Sequence, residues 1–425
     1  MLDINRIRKE PREMEAILLR RGYAVNFDDI LAKDVKKRAL YTESDTLKAR
    51  RNQLSAKVPQ MKKAGEDTEA LFNEVREIGE KIKAIDVDAD TLDAEITAFV
   101  AGLPNLPDPD VLSGGKENNE VLRTWGEKPA FGFEPKNHVD LAESLHLIDY
   151  ARGAKLGGSG KWVYTGDGAR LEWALLNYFI DTHLKDGYQF MLVPHLLNYE
   201  AGFTAGQFPK FEDDVFWVGS REGRAEQFLL PTAETALVNL HRGELLAEDD
   251  LPRKYFGYTP CYRSEAGSYR AEERGMIRGN QFNKVEMVQY ALPEKSREAF
   301  DEMVGKAEAL VQGLGLHYQL SKLAAGDCSA SMARTYDIEV WIPSMGIYKE
   351  VSSASNSNDY QARRGAIRVK RKDTGKNEFV HILNASGLAT SRIFPAILEQ
   401  YQQADGSVRV PDVLVKWMGK EVIQA

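Results

Sequence analysis

The sequence predicts an α+β chain: an antiparallel helical hairpin of coiled-coil type, followed by a domain built on an antiparallel sheet. Three observations lead there. Apolar residues recur every seven positions through much of the first hundred residues. Closely spaced prolines then interrupt the chain just after residue 103. From about Trp125 onward, short alternating runs such as Gln281 to Tyr290 and Tyr336 to Ile342 read as antiparallel strands that helices do not space regularly.

In the arm, Leu71, Ile78, Ile85, Leu92 and Phe99 repeat at seven, with Val75, Ile82, Ala89 and Ile96 in the second heptad position. Upstream, Leu40, Leu47, Leu54 and Met61 repeat likewise, joined by Val58. The turn-forming Lys63-Ala64-Gly65-Glu66-Asp67 separates the two stripes, so the hairpin spans residues 28–100 of a domain covering 1–103. Each helix of about 35 residues should reach roughly 50 Å at 1.5 Å rise. The first helix is dense in cations, among them Lys48, Arg50, Arg51 and Lys57. On the arm alone, the simpler account is a solvated coiled-coil face; the sharper one is contact with nucleic-acid phosphates.

Leu103-Pro104-Asn105-Leu106-Pro107-Asp108-Pro109 and Ser113-Gly114-Gly115-Lys116 mark a linker over 104–124, which leaves 125–425 as the globular domain. Of 425 residues, 43% are hydrophobic and 28% charged, an ordinary globular balance. No apolar run approaches the roughly 20 residues that span a bilayer, and Met1 to Glu13 mixes both charge signs, so neither membrane nor secretory leader is expected. Cys261 and Cys328 are far apart, which excludes a disulfide framework or Cys-rich zinc site and makes the cytoplasm the expected compartment. The net charge of -8 gives no global reason to expect a nucleic acid, so any RNA contact must be local, and no DNA partner is expected.

The chemistry concentrates around Tyr255 to Glu265 and Ile277 to Glu286. Read as strand, loop and strand, period two puts Arg263 with Glu265 on one face, and Phe282 with Lys284 and Glu286. Two charge signs and an aromatic ring on a sheet surface cost several kcal/mol unless satisfied. Guanidinium forks suit phosphate oxygens and a flat ring can cover a purine; an internal salt-bridge network is the alternative. No GxxxxGK[ST] and no GxGxxG after a strand is present, so a nucleotide must be held by another device.

RxE followed by a loop and RxxQF resembles motif 2 of the class II aminoacyl-tRNA synthetases, and YTPCYRSEAGS…RGMIRxxQFxKVE resembles the seryl-tRNA synthetase family, in its bacterial form. Asn384-Ala385-Ser386-Gly387-Leu388-Ala389-Thr390-Ser391-Arg392 with Ala396-Ile397-Leu398-Glu399 is similar to motif 3. Motif 1 is weaker: a helix around Leu171 to His183, a strand around Tyr188 to Val193, then Pro194. Pro231-Thr232-Ala233-Glu234, Glu350-Val351-Ser352-Ser353 and the C-terminal Val408 to Pro411 and Met418 to Val422 also match, so the resemblance covers nearly the whole chain.

The resemblance implies a class II catalytic domain with a six- to eight-stranded antiparallel sheet, a homodimer joined through motif 1, and an arm that reads tRNA. The activity would be ATP-dependent charging of serine onto tRNA(Ser), and onto the selenocysteine tRNA where one exists. It places Arg263 on the ATP α-phosphate and the serine carboxylate, with Arg392 as second catalytic cation. Glu265 would meet the adenine amino group, Phe282 would stack on the ring, and Arg278 would reach the distal phosphates. Gly279, Val351 and Ser352 would complete the ATP site, while Glu350 and Ser353 would ligate magnesium. Thr232 and Glu234 would bind the serine amino group and Glu286 and Ser386 its hydroxyl, with Ala233 and Asn384 completing the serine site. Lys48, Arg50, Arg51 and Lys57 would contact tRNA. Glu350 and Ser353 lie three apart and would face opposite ways on a regular strand, so a bulge is expected there.

Two positions depart from the family pattern: Asn280 stands where His is common, and Ala354 where SCSN has Cys. Pro395 sits in the expected motif 3 helix, which must start near Ser391 or bend. A paralogue loading seryl-adenylate onto a carrier protein would not need the hairpin, and a coiled-coil scaffold would leave the charged constellation unexplained.

Overall fold

The computed structural model describes residues 1–219, 227–265 and 275–425. These form two units: Leu2–Leu19 with Tyr23–Leu103, and Met1 and Arg20–Gly22 with Pro104–Ala425.

In the first unit, α1 (Asp28–Ala64) and α2 (Glu69–Gly102) are the hairpin. Leu54, Ile78 and Ile82 are buried in its seam and Leu47, Leu71 and Val75 pack against them, as the heptads require. Gly65 ends α1 at φ 72, a left-handed conformation that costs glycine little. Phe27 and Phe99 meet edge to face at 6.3 Å near the base. The seam also carries polar contacts: Ser44 Oγ donates to Asp86 at 2.6 Å. Arg8 and Arg38 bond Asp34, and these guanidinium contacts, Arg8 foremost, hold its carboxyl below the usual range.

The second unit is built on one eight-stranded sheet: β1 (Glu120–Trp125), β2 (Gln189–Met191), β3 (Arg253–Tyr262), β4 (Gln281–Ala291), β5 (Tyr318–Lys322), β6 (Arg334–Ile342), β7 (Ile347–Asn356) and β8 (His381–Ala389). The order is β1-β5-β6-β7-β8-β4-β3-β2. Every pairing is antiparallel except the parallel contact of β2 with β3. The principal helices are α3 (Gly166–Lys185), α4 (Ala233–Leu237), α5 (Ser296–Gly313) and α6 (Thr390–Gln400).

Period two on β4 divides the two sides of the sheet. Val285 and Met287 enter the large core with Leu171, Leu175 and Phe179 of α3, Phe300 and Met303 of α5, and Ile393 and Ile397 of α6. Val288 and Tyr290 belong to a second cluster with Ala233 and Leu237 of α4. Glu286, Lys284 and Phe282 continue that second face toward the strand's start. The helix α6 begins at Thr390 and runs through Pro395.

The stretch expected as a linker differs from that expectation. Residues 104–124 cluster with the globular unit, and β1 starts at Glu120. The prolines do keep helix out, and Pro109 lies in a turn closed by the Val111 N–H donating to Asp108 O at 3.1 Å, but polar residues between them tie the segment down. Asn105 Nδ2 donates to the Ser331 and Ser357 carbonyls at 2.9 and 2.8 Å, and Arg334 is paired with Asp108 and Asp110.

Candidate active site

Segments remote in sequence converge on the second face of the sheet: the end of β3 and start of β4, the middle of β7, and β8 running into α6. Between them lies a cavity of about 570 Å³ lined by Arg263, Glu265, Arg278, Lys284, Glu286, Glu350, Ser353, Asn384, Ser386 and Arg392, with Thr232 and Glu234 at one end. A smaller cavity of about 90 Å³ shares Arg263, Lys284 and Arg392 and adds Phe282, Gly279 and Val351.

Arg263 and Glu265 do not owe their placement to strand alternation, because β3 ends at Tyr262. The Arg263 N–H still donates to Asn280 O at 2.9 Å, but the Ser264 N–H turns away to Asp214 O at 3.0 Å. Glu265 then adopts φ 50, the left-handed region uncommon for non-glycine residues. A turn, not a pleat, aims both side chains into the cavity. Asn280 pins that turn: its Nδ2 donates to the carbonyls of Arg263 and Ser264 at 3.1 and 3.0 Å. Residues 266–274, the middle of the motif 2 loop, lie outside the described residues.

Phe282, Lys284 and Glu286 do follow period two on β4. The Arg263 guanidinium sits 5.2 Å from the Phe282 ring centroid, and its Nε donates to Pro231 O at 3.2 Å. Gly279 is required by close approach, since a Cβ there would fall 2.2 Å from the Trp162 ring.

The expected bulge in β7 is present. Ile338 pairs with Ser352 and Glu339 with Glu350, so Val351 is the extra residue. It turns Glu350 and Ser353 into the same cavity. Opposite Ser353, burial and then the Glu350 charge push Asp337 well above the carboxylate range. Glu350 and Ser353 fit a hard cation that keeps phosphate and water ligands. Among the described residues, no group of three His, Cys, Asp or Glu could hold a metal by itself.

Cations and carboxylates pair across the cavity. Arg278 meets Glu265 at 2.7 Å and Arg392 meets Glu350 at 3.5 Å. Lys284 Nζ and Glu286 Oε2 lie 2.5 Å apart. At the far end, Thr232 caps α4 by accepting from the Glu234 N–H at 3.2 Å. Glu234 Oε1 accepts from Gln361 Nε2 at 2.8 Å and Asn384 Nδ2 at 3.1 Å. Burial first, and then the negative charge of Glu286, push the Glu234 carboxyl up to about 7.

Two expected residues do not line either cavity. Ala233 is buried inside the second hydrophobic cluster, and the Ser352 hydroxyl donates inward to Ser386 O at 2.6 Å. Three residues carry more than the sequence assigned them: Lys284, whose alternation with Glu286 was the available signal; Asn280; and Gln361, for which the sequence holds no signal. Ala354 is 1% exposed in the core between β6 and β8, opposite Tyr336 and Ala385. On the arm, Lys48 pairs with Asp86 at 3.1 Å and Arg50 with Glu74 at 3.2 Å. Arg51 and Lys57 have no ion-pair partner among the described residues.

Comparison with known proteins gives this geometry its family. Residues 216–401 match the tRNA synthetase class II core domain (G, H, P, S and T), and residues 1–107 match the seryl-tRNA synthetase N-terminal domain. A serine–tRNA ligase 2 of Clostridium acetobutylicum is 60% identical over 99% of this chain and all of its own length. The chain belongs to the seryl-tRNA synthetase family. It is a class II, ATP-dependent ligase. The serine–tRNA ligase of Nitratidesulfovibrio vulgaris strain Hildenborough is 46% identical over 99% of this chain and 98% of its own. Seryl-tRNA synthetase from Pyrococcus horikoshii, solved with ATP, superposes with a TM-score of 0.92 at 34% identity, covering 100% of this chain and 99% of that one.

Proposed function

We propose that this chain makes seryl-adenylate in the β4–β7–β8 cavity and passes the serine to tRNA(Ser), with each residue acting as follows. A serine carboxylate oxygen attacks the α-phosphorus of ATP in line, the bond to pyrophosphate breaks, and the terminal tRNA hydroxyl then displaces AMP from the acyl carbon. No protein nucleophile is needed, so catalysis is positioning and charge stabilisation. Arg263 neutralises the α-phosphate and serine carboxylate as they approach. Phe282 supports the adenine, Glu265 accepts from its amino group, and Arg278 and Arg392 exchange their carboxylate partners for phosphate oxygens. Glu350 and Ser353 would hold magnesium, which supplies positive charge to the phosphates. Thr232 and Glu234 take the serine ammonium; Glu286, with Ser386 and Asn384 beside it, takes the hydroxyl.

One observation carries this reading. A single cavity joins guanidinium groups from motif 2 and motif 3, Arg263, Arg278 and Arg392, to a buried carboxylate, Glu286, on its wall. Pyrophosphate exchange measured with each of the twenty amino acids tests it: serine alone should support rapid exchange, and equal exchange with alanine or threonine would refute the assignment.

The arm is assigned to tRNA on its family match and its cations. Because Lys48 and Arg50 already pair within the arm, Arg51 and Lys57 should contribute more to phosphate contact. Charge reversal at both should weaken tRNA binding and reduce its salt slope, with serine-dependent exchange unchanged. Unaltered tRNA affinity would refute this. A homodimer is proposed through motif 1, where Trp173 and Leu184 on α3 and Leu192 and Leu196 beyond β2 are 41–78% exposed. Exposed apolar side chains of this kind suit an interface, and β2 is the sheet's outer strand on that side.

A further inference from the structure

We infer that Lys284 is a specificity-determining, positioning residue for serine: its ammonium pairs with Glu286 and orients that carboxylate to accept from the substrate hydroxyl. The inference rests on the proposed placement of that hydroxyl at Glu286.

The two side chains leave the same face of β4 two residues apart. They are 7% and 1% exposed, at the wall of the large cavity. A carboxylate so buried is tolerated only beside a counter-charge, and Lys284 Nζ, 2.5 Å from Glu286 Oε2, supplies it. That contact is an ion pair without hydrogen-bond geometry. Glu286 Oε2 therefore has no hydrogen-bond partner among the described residues, and its acceptor capacity remains open to a ligand donor. The surroundings make the counter-charge necessary. Glu234, the other carboxylate at this end, feels the Glu286 charge, and the Lys284 ammonium offsets part of that repulsion. Of the other cavity cations, Arg278 and Arg392 pair with Glu265 and Glu350, and Arg263 is directed to Pro231 O and the Phe282 ring. Lys284 is thus the charge next to Glu286. Serine can donate its hydroxyl to the ionised carboxylate; alanine leaves that carboxylate unmatched, a penalty a merely apolar pocket cannot impose.

The test is serine- and alanine-dependent pyrophosphate exchange in Lys284→Met, Lys284→Arg, Glu286→Gln and the double variant Lys284→Met/Glu286→Gln. Lys284→Met should lower serine kcat/KM by about tenfold or more, chiefly through KM, as for a weakened hydrogen bond to a charged group. Alanine activation and the ATP KM should change by less than about threefold, so the preference for serine shrinks; Lys284→Arg should recover most of it. If Lys284 acts through Glu286, the double variant should match Glu286→Gln within about twofold. The double variant also removes both buried charges together, which keeps the test open if Lys284→Met alone folds poorly. Equal losses for serine and alanine, or a Lys284→Met cost that persists in the Glu286→Gln background, overturn the inference. Unchanged serine preference in Glu286→Gln itself would instead overturn the hydroxyl assignment beneath it.

Discussion

Serine affinity should depend on pH through Glu234. Its carboxyl is raised from the usual 4.5 to about 7, by burial and by the neighbouring Glu286 charge, against the opposing effects of Gln361, Lys284 and Arg263. The serine ammonium is attracted to the ionised form, so binding draws on whatever fraction of Glu234 has lost its proton. Well above pH 7 that fraction is near one. At pH 6 it is roughly a tenth, and the apparent serine KM should be about tenfold higher than at pH 8. The sign is fixed by the direction of the shift: a carboxyl raised toward neutrality weakens ammonium binding as pH falls through 7, whereas one at its ordinary value would leave KM flat. Pyrophosphate exchange at saturating ATP between pH 6 and 8 measures this, with the ATP KM as internal control. Glu234→Gln should bind serine poorly at every pH and lose the dependence. A serine KM constant over that range, or an equal dependence in Glu234→Gln, would refute the reasoning.

Glu172 on α3 presents a parallel case in stability. Its Oε1 accepts from Thr390 Oγ1 at 2.6 Å and Asn283 Nδ2 at 2.7 Å, yet burial raises it to about 7. The unfolded chain ionises near 4.5, so this group costs more as pH rises from 4.5 to 7. At about 1.4 kcal/mol per unit, Glu172→Gln should gain on the order of 3 kcal/mol at most at pH 8 and little at pH 4.5. Melts shifted equally at both pH values would contradict that. Light scattering at micromolar protein should report twice 47.7 kDa; Trp173→Glu with Leu192→Glu should lower it toward one chain, and a native monomer with full activity would dispose of the interface.

The periodicities of this sequence determined much of its local structure, while its chemistry was legible through the motifs it shares with a known family. Seven-residue spacing suffices for the arm because knobs and holes between two helices depend only on positions within them, and α1 and α2 occupy the predicted span. The alternation of Lys284 with Glu286 survives because β4 is central and its ladder to β3 is regular. The bulge at Val351 was expected because the resemblance puts Glu350 and Ser353 on one ion, while their three-residue spacing would face them apart on a regular strand. What local pattern could not convey is where a strand stops and what lies across the cavity. Arg263 and Glu265 look like strand residues, but the ladder ends one residue earlier and hydrogen bonds from Asn280 and to Asp214 shape the turn. Residues 104–124 look like a linker because prolines exclude helix; groups over two hundred residues away, the Ser331 carbonyl and the Arg334 guanidinium among them, hold them to the globular unit. Gln361 and Glu234, 127 residues apart, meet only once the sheet has formed. Partnerships of that kind decide which carboxylate keeps its proton, and they arise from burial and proximity that no local spacing encodes.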